Sequence, residues 1–469
     1  MGGQPFLGFE YGSQLIYALV HQVAGLAGVA IFAGLLVATA YALLARFLLS
    51  RGVDPLLVYL TTVAGAILGA VHWAARPHLF TLVLVVVLLF MLEGAQQSTA
   101  DGRQSTTARR PLTVDRRLVA VFLLFALWAN LHGGWLFGLV LIGLWFCGRL
   151  LDYLLKVDRP FQVAEMRRLA AMFGFGLAGT LLNPHFLALH RHVFGFFGDT
   201  YILDHTHEFL SPDFHGLVGK LFLAALLLTI AVLAMSRTRP SGPTLVVTLA
   251  MTAFTLNAQR NIQLYSVTVV PLLALHVDAA FRRLPDWRGI RATFERDAKV
   301  GVTAPYVVVM MLLFGTLAAF RGQVGGVPVI PDSVRADQFP VALVARARQA
   351  GIQGRIYNDF TWGGYIIYAW PEQKVFIDGG TDFYGPDLMR TWQLIRDLQP
   401  GWRDSLSRFG VDLVLMPPDA AMVHELLQQP DWRLRDCDAT AALLQKSPGA
   451  QPTSTEDRLL QGCEEGKIK

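Results

Sequence analysis

The sequence predicts an α-helical polytopic membrane domain of about ten spans, followed by a small α/β domain. Three observations carry this reading. Hydrophobic residues fill 53% and charged residues only 16% of the 469 positions, with a mean hydropathy of +0.43. Several apolar runs approach or exceed eighteen residues, close to the roughly 20 that a helix needs to cross about 30 Å of hydrocarbon. After residue 320 charge returns, and short strand-like runs alternate with helix-like ones. The expected limits are therefore 1–320 for the membrane domain and 321–446 for the α/β domain. Residues 447–469, rich in Ser, Pro, Glu and Gly, read as a disordered tail.

Taken in order, the expected spans are 28–49, 55–74, 77–95, 117–131, 133–151, 169–183, 217–236, 243–259, 261–279 and 301–320. The fourth and fifth meet at "NLHGG" with almost no loop, so at least one is short, tilted or re-entrant. The polar run "QQSTADGRQSTTARR" links the third span to the fourth. Alternate loops differ sharply in charge: one set holds twenty basic residues, the opposite set only Arg76, Arg191, Lys220 and Arg260. Cytoplasmic loops carry the Lys/Arg excess, so the poor set faces outward. The pI of about 9.1 thus reflects membrane orientation and not a nucleic-acid partner. Residues 1–14 come out extracytoplasmic with no span to deliver them. Either the short tail crosses unaided or a span precedes Met1, and the second is preferred.

Polar groups gather on the outward face. "VHWAARPHLF" supplies His72, Arg76 and His78, "WANLHGGW" supplies Asn130 and His132, and "NAQRNIQ" supplies Gln259, Arg260 and Asn261. The loop 183–216 holds six histidines and ends in "DHTHEFLSPDFHG", with Asp204, His205, His207, Glu208, Asp213 and His215. Ionisable groups at membrane depth are costly and commonly line a cavity or a site. Each also has a plainer reading. Arg76 and Arg260 fit either a phosphate fork or an interfacial anchor. Asn130 and His132 fit a tight glycine turn, and the histidine loop fits an amphipathic helix with a solvated polar face. A divalent metal near His205, His207 and Asp213 is not favoured, because H-x-H spacing is common and no H-E-x-x-H occurs, so no cofactor is expected. Glu10, in "GFEYGSQ", is the only acid of the first outer segment.

In the α/β domain "RIYND", "KVFIDGG", "VDLVLMPP", "WRLRDC" and "TAALLQK" read as strands of a partly parallel sheet. "VFIDGG" would end a buried strand on Asp378; with Asp382 it fits a cation or sugar site, and turn capping is the commoner role. Cys437 and Cys463 can pair only if this end faces an oxidising compartment, and spacing alone does not decide that.

Residues 5–280 resemble the type C membrane glycosyltransferases, whose relatives include protein O-mannosyltransferases and lipid A aminoarabinose transferases. "FEYGSQLIYALVHQVAGLAGVAIFAGLLVATAYALLARFL", "ARPHLF", "WANLHGG", "LLNPHF" and "HEFLSPDF" carry the likeness. The resemblance implies a polyprenyl-phosphate sugar donor, a glycan, lipid or protein acceptor, and transfer on the outer face of the inner (cytoplasmic) membrane. It implies a catalytic carboxylate in the first outer loop, where Glu10 falls, or else an Asp on a segment before Met1. His207 and Glu208 join Glu10 as candidate catalytic groups. Arg76, His78, Asn130, His132, Asp204, Arg260 and Asn261 are the candidate substrate-binding groups. The alternative is a non-catalytic membrane protein of envelope polysaccharide assembly that keeps the same architecture.

Overall fold

The computed structural model describes residues 8–100, 115–156, 162–198, 200–236, 239–282, 313, 320–324, 327–447 and 454–464. The chain divides into two units, Met1–Phe197 with Leu203–Asp332, and Gly198–Ile202 with Ser333–Lys469.

The first unit is helical. Among the described residues five helices are long and apolar enough to cross a membrane: Tyr11–Ser50, Pro55–His72, Trp135–Leu154, Leu217–Met235 and Gln259–Phe281. His78–Glu93 and Gly242–Asn257 are shorter apolar helices. The chain is a membrane protein on this ground. Of the ten expected spans, 301–320 falls almost wholly outside the described residues. Those at 117–131 and 169–183 become α4 (Arg116–Leu131) and α6 (Val163–Thr180). Charged residues, Arg116 and Arg117 in α4 and Glu165, Arg167 and Arg168 in α6, occupy the starts of these two helices and shorten their apolar stretches.

Helix α1 (Tyr11–Ser50) starts well before the expected span and is broken at Gly25, where φ is 66° and ψ is −163°. Glycine enters this region at no steric cost. A Cβ there would stand 2.4 Å from an Asp332 carboxylate oxygen. That carboxylate accepts from the Ala27 N–H at 3.0 Å, so Asp332 caps the second half of the helix. Helix α2 (Pro55–Gly69) opens on a proline and on the Asp54 cap, and ends in a 3₁₀ turn over Ala70–His72. Helices α3 (His78–Ala100), α5 (Trp135–Leu154), α7 (Leu187–Phe197), α8 (Thr200–His205, whose first three residues belong to the second unit), α9 (Leu217–Met235), α10 (Gly242–Asn257) and α11 (Ile262–Phe281) are the others among the described residues.

The core is assembled from Leu44, Phe47 and Leu48 of α1, Leu79, Leu82 and Val85 of α3, Trp128 of α4, Trp135 and Trp145 of α5 and Tyr265 of α11. Polar ties fasten the helix ends remote from residue 10. Arg51 meets Glu93 at 2.8 Å, and Asp278 accepts from the Asp54 N–H at 2.9 Å. Asp152 accepts from the Gly242 N–H at 2.7 Å and pairs with Arg149, which also reaches Glu165 at 2.9 Å.

Helices α5 and α10 touch backbone to backbone through Gly148, as small residues permit between membrane helices. A Cβ on Gly148 would lie 2.3 Å from the Pro243 nitrogen, an atom that cannot swing aside. Gly148→Leu is expected to force the two helices apart and to destabilise the protein by about 1–3 kcal/mol or more. Thermal unfolding in detergent checks this. Gly143→Leu, where nothing lies within 4 Å of the added Cβ, should leave the transition in place.

The second unit holds a four-stranded sheet in the order β3-β4-β6-β5; the short hairpin β1 (Gln323–Val324) and β2 (Val327–Pro328) belongs to the first unit. Strand β3 (Ile356–Asn358) runs parallel to β4 (Leu413–Met416). Strand β6 (Ala442–Lys446) is antiparallel to β4 and to β5 (Trp432–Cys437). Helices Val341–Gln349, Gly363–Ala369, Thr381–Arg396, Trp402–Arg408 and Ala421–Leu427 lie between the strands in sequence.

Four of the five expected strands form this sheet, and "KVFIDGG" does not. The Asn358 side chain takes the place of a ladder there, accepting from Phe376 N–H at 2.8 Å and donating to the Ile377 carbonyl at 2.9 Å. Asp378 is accordingly a turn residue, accepting from Gly380 N–H at 2.7 Å, and the Asp382 side chain lies outside the described residues. Within the tail 447–469 the stretch Ser454–Glu464 is helical, and Cys463 is disulfide-bonded to Cys437 with Cα atoms 6.2 Å apart.

Candidate functional site

The polar site of the first unit is built where α1 begins, where α2 gives way to α3, and where α4 turns into α5. Glu10 precedes the first turn of α1, at the end where the peptide dipoles favour negative charge. Its Oε1 lies 3.4 Å from Nε2 of His132, and both side chains are largely buried, at 16% and 15% exposed.

The His132 tautomer follows from its partners. The Gly134 N–H can only donate, and it points at Nδ1 from 3.0 Å. The Thr81 hydroxyl lies 2.8 Å from the same nitrogen and itself accepts from the Trp128 indole N–H at 2.8 Å. Nδ1 is therefore the acceptor and Nε2 carries the proton, which it presents to Glu10. Burial, with Arg260, His78 and His72 nearby, pushes the pKa of His132 well below the usual histidine value of 6.5. The imidazole stays neutral and serves as a fixed donor to the carboxylate.

Asn130 sets this alignment. It accepts from the Tyr11 hydroxyl at 2.6 Å and donates to the carbonyls of Ala126 at 2.6 Å and Leu182 at 2.8 Å. Those bonds join the start of α1 to α4 and to the end of α6. Gly12 packs on the same place, its Cβ position 2.5 Å from the Asn130 carbonyl oxygen.

A second carboxylate occupies the other part of the site. Glu208 stands 3.3 Å from Arg260, 3.4 Å from Arg76 and 3.7 Å from Nε2 of His72. The 3₁₀ turn His207–Phe209 that bears it is docked on the turn Gln259–Asn261. Gln259 donates through its side chain to the His207 carbonyl at 2.6 Å and through its N–H to the Leu210 carbonyl at 2.9 Å. The Arg260 guanidinium lies over the Phe209 ring, 4.5 Å from its centroid. Between the two carboxylates run imidazoles: His72 is 4.5 Å from His78, which is 6.5 Å from His132. His78 bonds the His72 carbonyl at 2.8 Å, and the Arg76 carbonyl accepts from Tyr17 at 3.2 Å.

The structure thus brings together Glu10, Arg76, His78, His132, Glu208 and Arg260, with Asn130 behind them. His207 is exposed, with its Nδ1 3.0 Å from the Gln259 amide. Asp204 is exposed on α8, and Asn261 donates to the Phe254 carbonyl at 2.9 Å, closing the end of α10. Asp213 accepts from the His215 N–H at 2.9 Å as a turn residue. Among the described residues no three His, Cys, Asp or Glu side chains converge to hold a metal ion. Thr81 and Trp128 were not anticipated. A signal existed for the first, since Thr81 is the one polar residue in the run 79–92.

No family model and no curated protein matches the sequence. Among solved structures, the archaeal oligosaccharyltransferase AglB from Archaeoglobus fulgidus, determined with an inhibitory peptide and a dolichol-phosphate, is similar at TM-score 0.47 and 10% identity over 88% of this chain. The match spans 62% of the length of that protein.

Proposed function

We propose that the protein is a membrane glycosyltransferase that moves a sugar from a polyprenyl-phosphate donor to an acceptor hydroxyl on the outer face of the cytoplasmic membrane. The observation that carries this is one buried carboxylate, Glu10, held by a neutral histidine, in the same polar cluster as a pair of arginines, Arg76 and Arg260. Acceptor activation needs a base and the departing lipid needs cations; the motifs that resemble type C glycosyltransferases supply both.

In the reaction the acceptor oxygen attacks the anomeric carbon and its proton passes to Glu10. The bond from that carbon to the phosphate oxygen breaks, and the electron pair leaves with the lipid phosphate, which gains a negative charge. Arg76 and Arg260 offset that charge, an effect realised most fully in the transition state. His132 keeps Glu10 oriented. The Cys437–Cys463 disulfide supports an oxidising, extracytoplasmic compartment for residues 333–469.

Mass spectrometry of lipids that co-purify with the full chain tests the reading. A polyprenyl phosphate or its sugar ester is expected, and an Arg260→Ala preparation should lack it. Recovery of bulk phospholipid alone from both preparations would remove the donor from the proposal.

A further inference from the structure

Glu208 is placed unlike Glu10. Each of its oxygens faces a guanidinium, Oε1 toward Arg260 and Oε2 toward Arg76, with His72 beside the latter. Its contacts, at 3.3–3.7 Å, are longer than the roughly 2.7–2.9 Å of a closed charge-assisted hydrogen bond. The contacts to Arg260 and Arg76 are single, long hydrogen bonds and not bidentate forks. The turn beneath it cannot drift, because Gln259 grips His207 and Leu210 and Phe209 lies under Arg260. The bonds that hold the turn do not involve the Glu208 carboxylate.

Charge tells what replaces it. In direct contact two guanidiniums face one carboxylate, Glu10 acting on Arg260 from farther off; the contact excess of one positive charge suits the single negative charge of a phosphodiester. After transfer the leaving phosphate carries a second charge, and Glu208 then opposes it at close range. We propose, resting on the reading above, that Glu208 is a built-in counter-anion of the phosphate subsite. It holds Arg76 and Arg260 together while the subsite is empty, yields them to a phosphate-bearing ligand, and competes with that ligand for them so that the product monoester is released.

The test is equilibrium binding of farnesyl monophosphate, and separately of inorganic phosphate, to the full-length protein in detergent. Glu208→Gln is expected to bind farnesyl monophosphate about tenfold more tightly than the wild type, since a competing charge in direct contact is removed. Glu208→Ala should show the same sign and serves if the glutamine variant does not fold. The ratio between variant and wild type should persist at 1 M salt, where screening reaches about 3 Å and only direct competition survives. A gain for both ligands supports the counter-anion with phosphate alone as the recognised group. A gain for the prenyl ester alone supports it with a lipid as the ligand.

Equal or weaker binding by both variants overturns the proposal. If the wild type binds farnesyl monophosphate, Arg260→Ala abolishes it and Glu208→Gln changes nothing, the phosphate subsite stands and the counter-anion falls. If no form of the protein binds the prenyl ester, the subsite falls with it.

Discussion

Glu10→Gln is expected to lower sugar transfer by about 10²–10⁴-fold, the range of a lost general base. Binding of a prenyl phosphate should stay within about twofold of the wild type. The amide is nearly isosteric and can still accept from Nε2 of His132, so the start of α1 keeps its place. What it cannot do is take a proton. The effect should therefore appear in kcat and not in KM. It should also flatten the acid side of the pH profile, as loss of a general base does. His132 adds no limb near pH 6.5, since its pKa lies well below that value. Transfer at wild-type rate by Glu10→Gln would take the base out of the first outer segment altogether.

Arg260→Ala is the second large effect. Truncating one member of a largely desolvated charge pair costs about 2–5 kcal/mol, which is roughly 30-fold to several thousand-fold in affinity for the lipid phosphate. Arg260 is only 28% exposed, stacked on Phe209 and paired with Glu208. Arg76, at 62% exposed, has its charge shared with solvent, and Arg76→Ala should cost under about tenfold. Arg260→Lys should recover part of the loss, keeping the charge but neither the planar fork nor the stacking. Retention of a prenyl phosphate, scored by mass spectrometry or direct titration, ranks the three variants. A larger loss for Arg76→Ala than for Arg260→Ala would reverse the assignment of the main phosphate contact.

Much of this site was legible because it depends on local rules. The scarcity of arginine on one set of loops marked Arg76 and Arg260 before any geometry was known. The turns "ARPHLF" and "NLHGG" and the acid in "GFEYGSQ" follow from the same count, and they meet in the fold. What stayed hidden depends on distant partners. No pattern gives the pairing of Thr81 with His132, which fixes the proton on one ring nitrogen. Nor does any tell that Asn130 spends its amide on three structural bonds.

In the second unit "KVFIDGG" has the composition of a strand. One side chain, Asn358, satisfies its backbone instead, and no propensity scale sees that. The pairing of Cys437 with Cys463 needed the position of the helix Ser454–Glu464, in a stretch whose composition read as disorder.

The break in α1 has a consequence for how the protein is made. The N–H of Ala27 finds its acceptor 305 residues later in the chain, at Asp332. During synthesis the helix beyond Gly25 emerges with this amide unanswered until Asp332 has followed. A ribosome that stalls before that aspartate releases a product whose helix beyond Gly25 lacks this clasp.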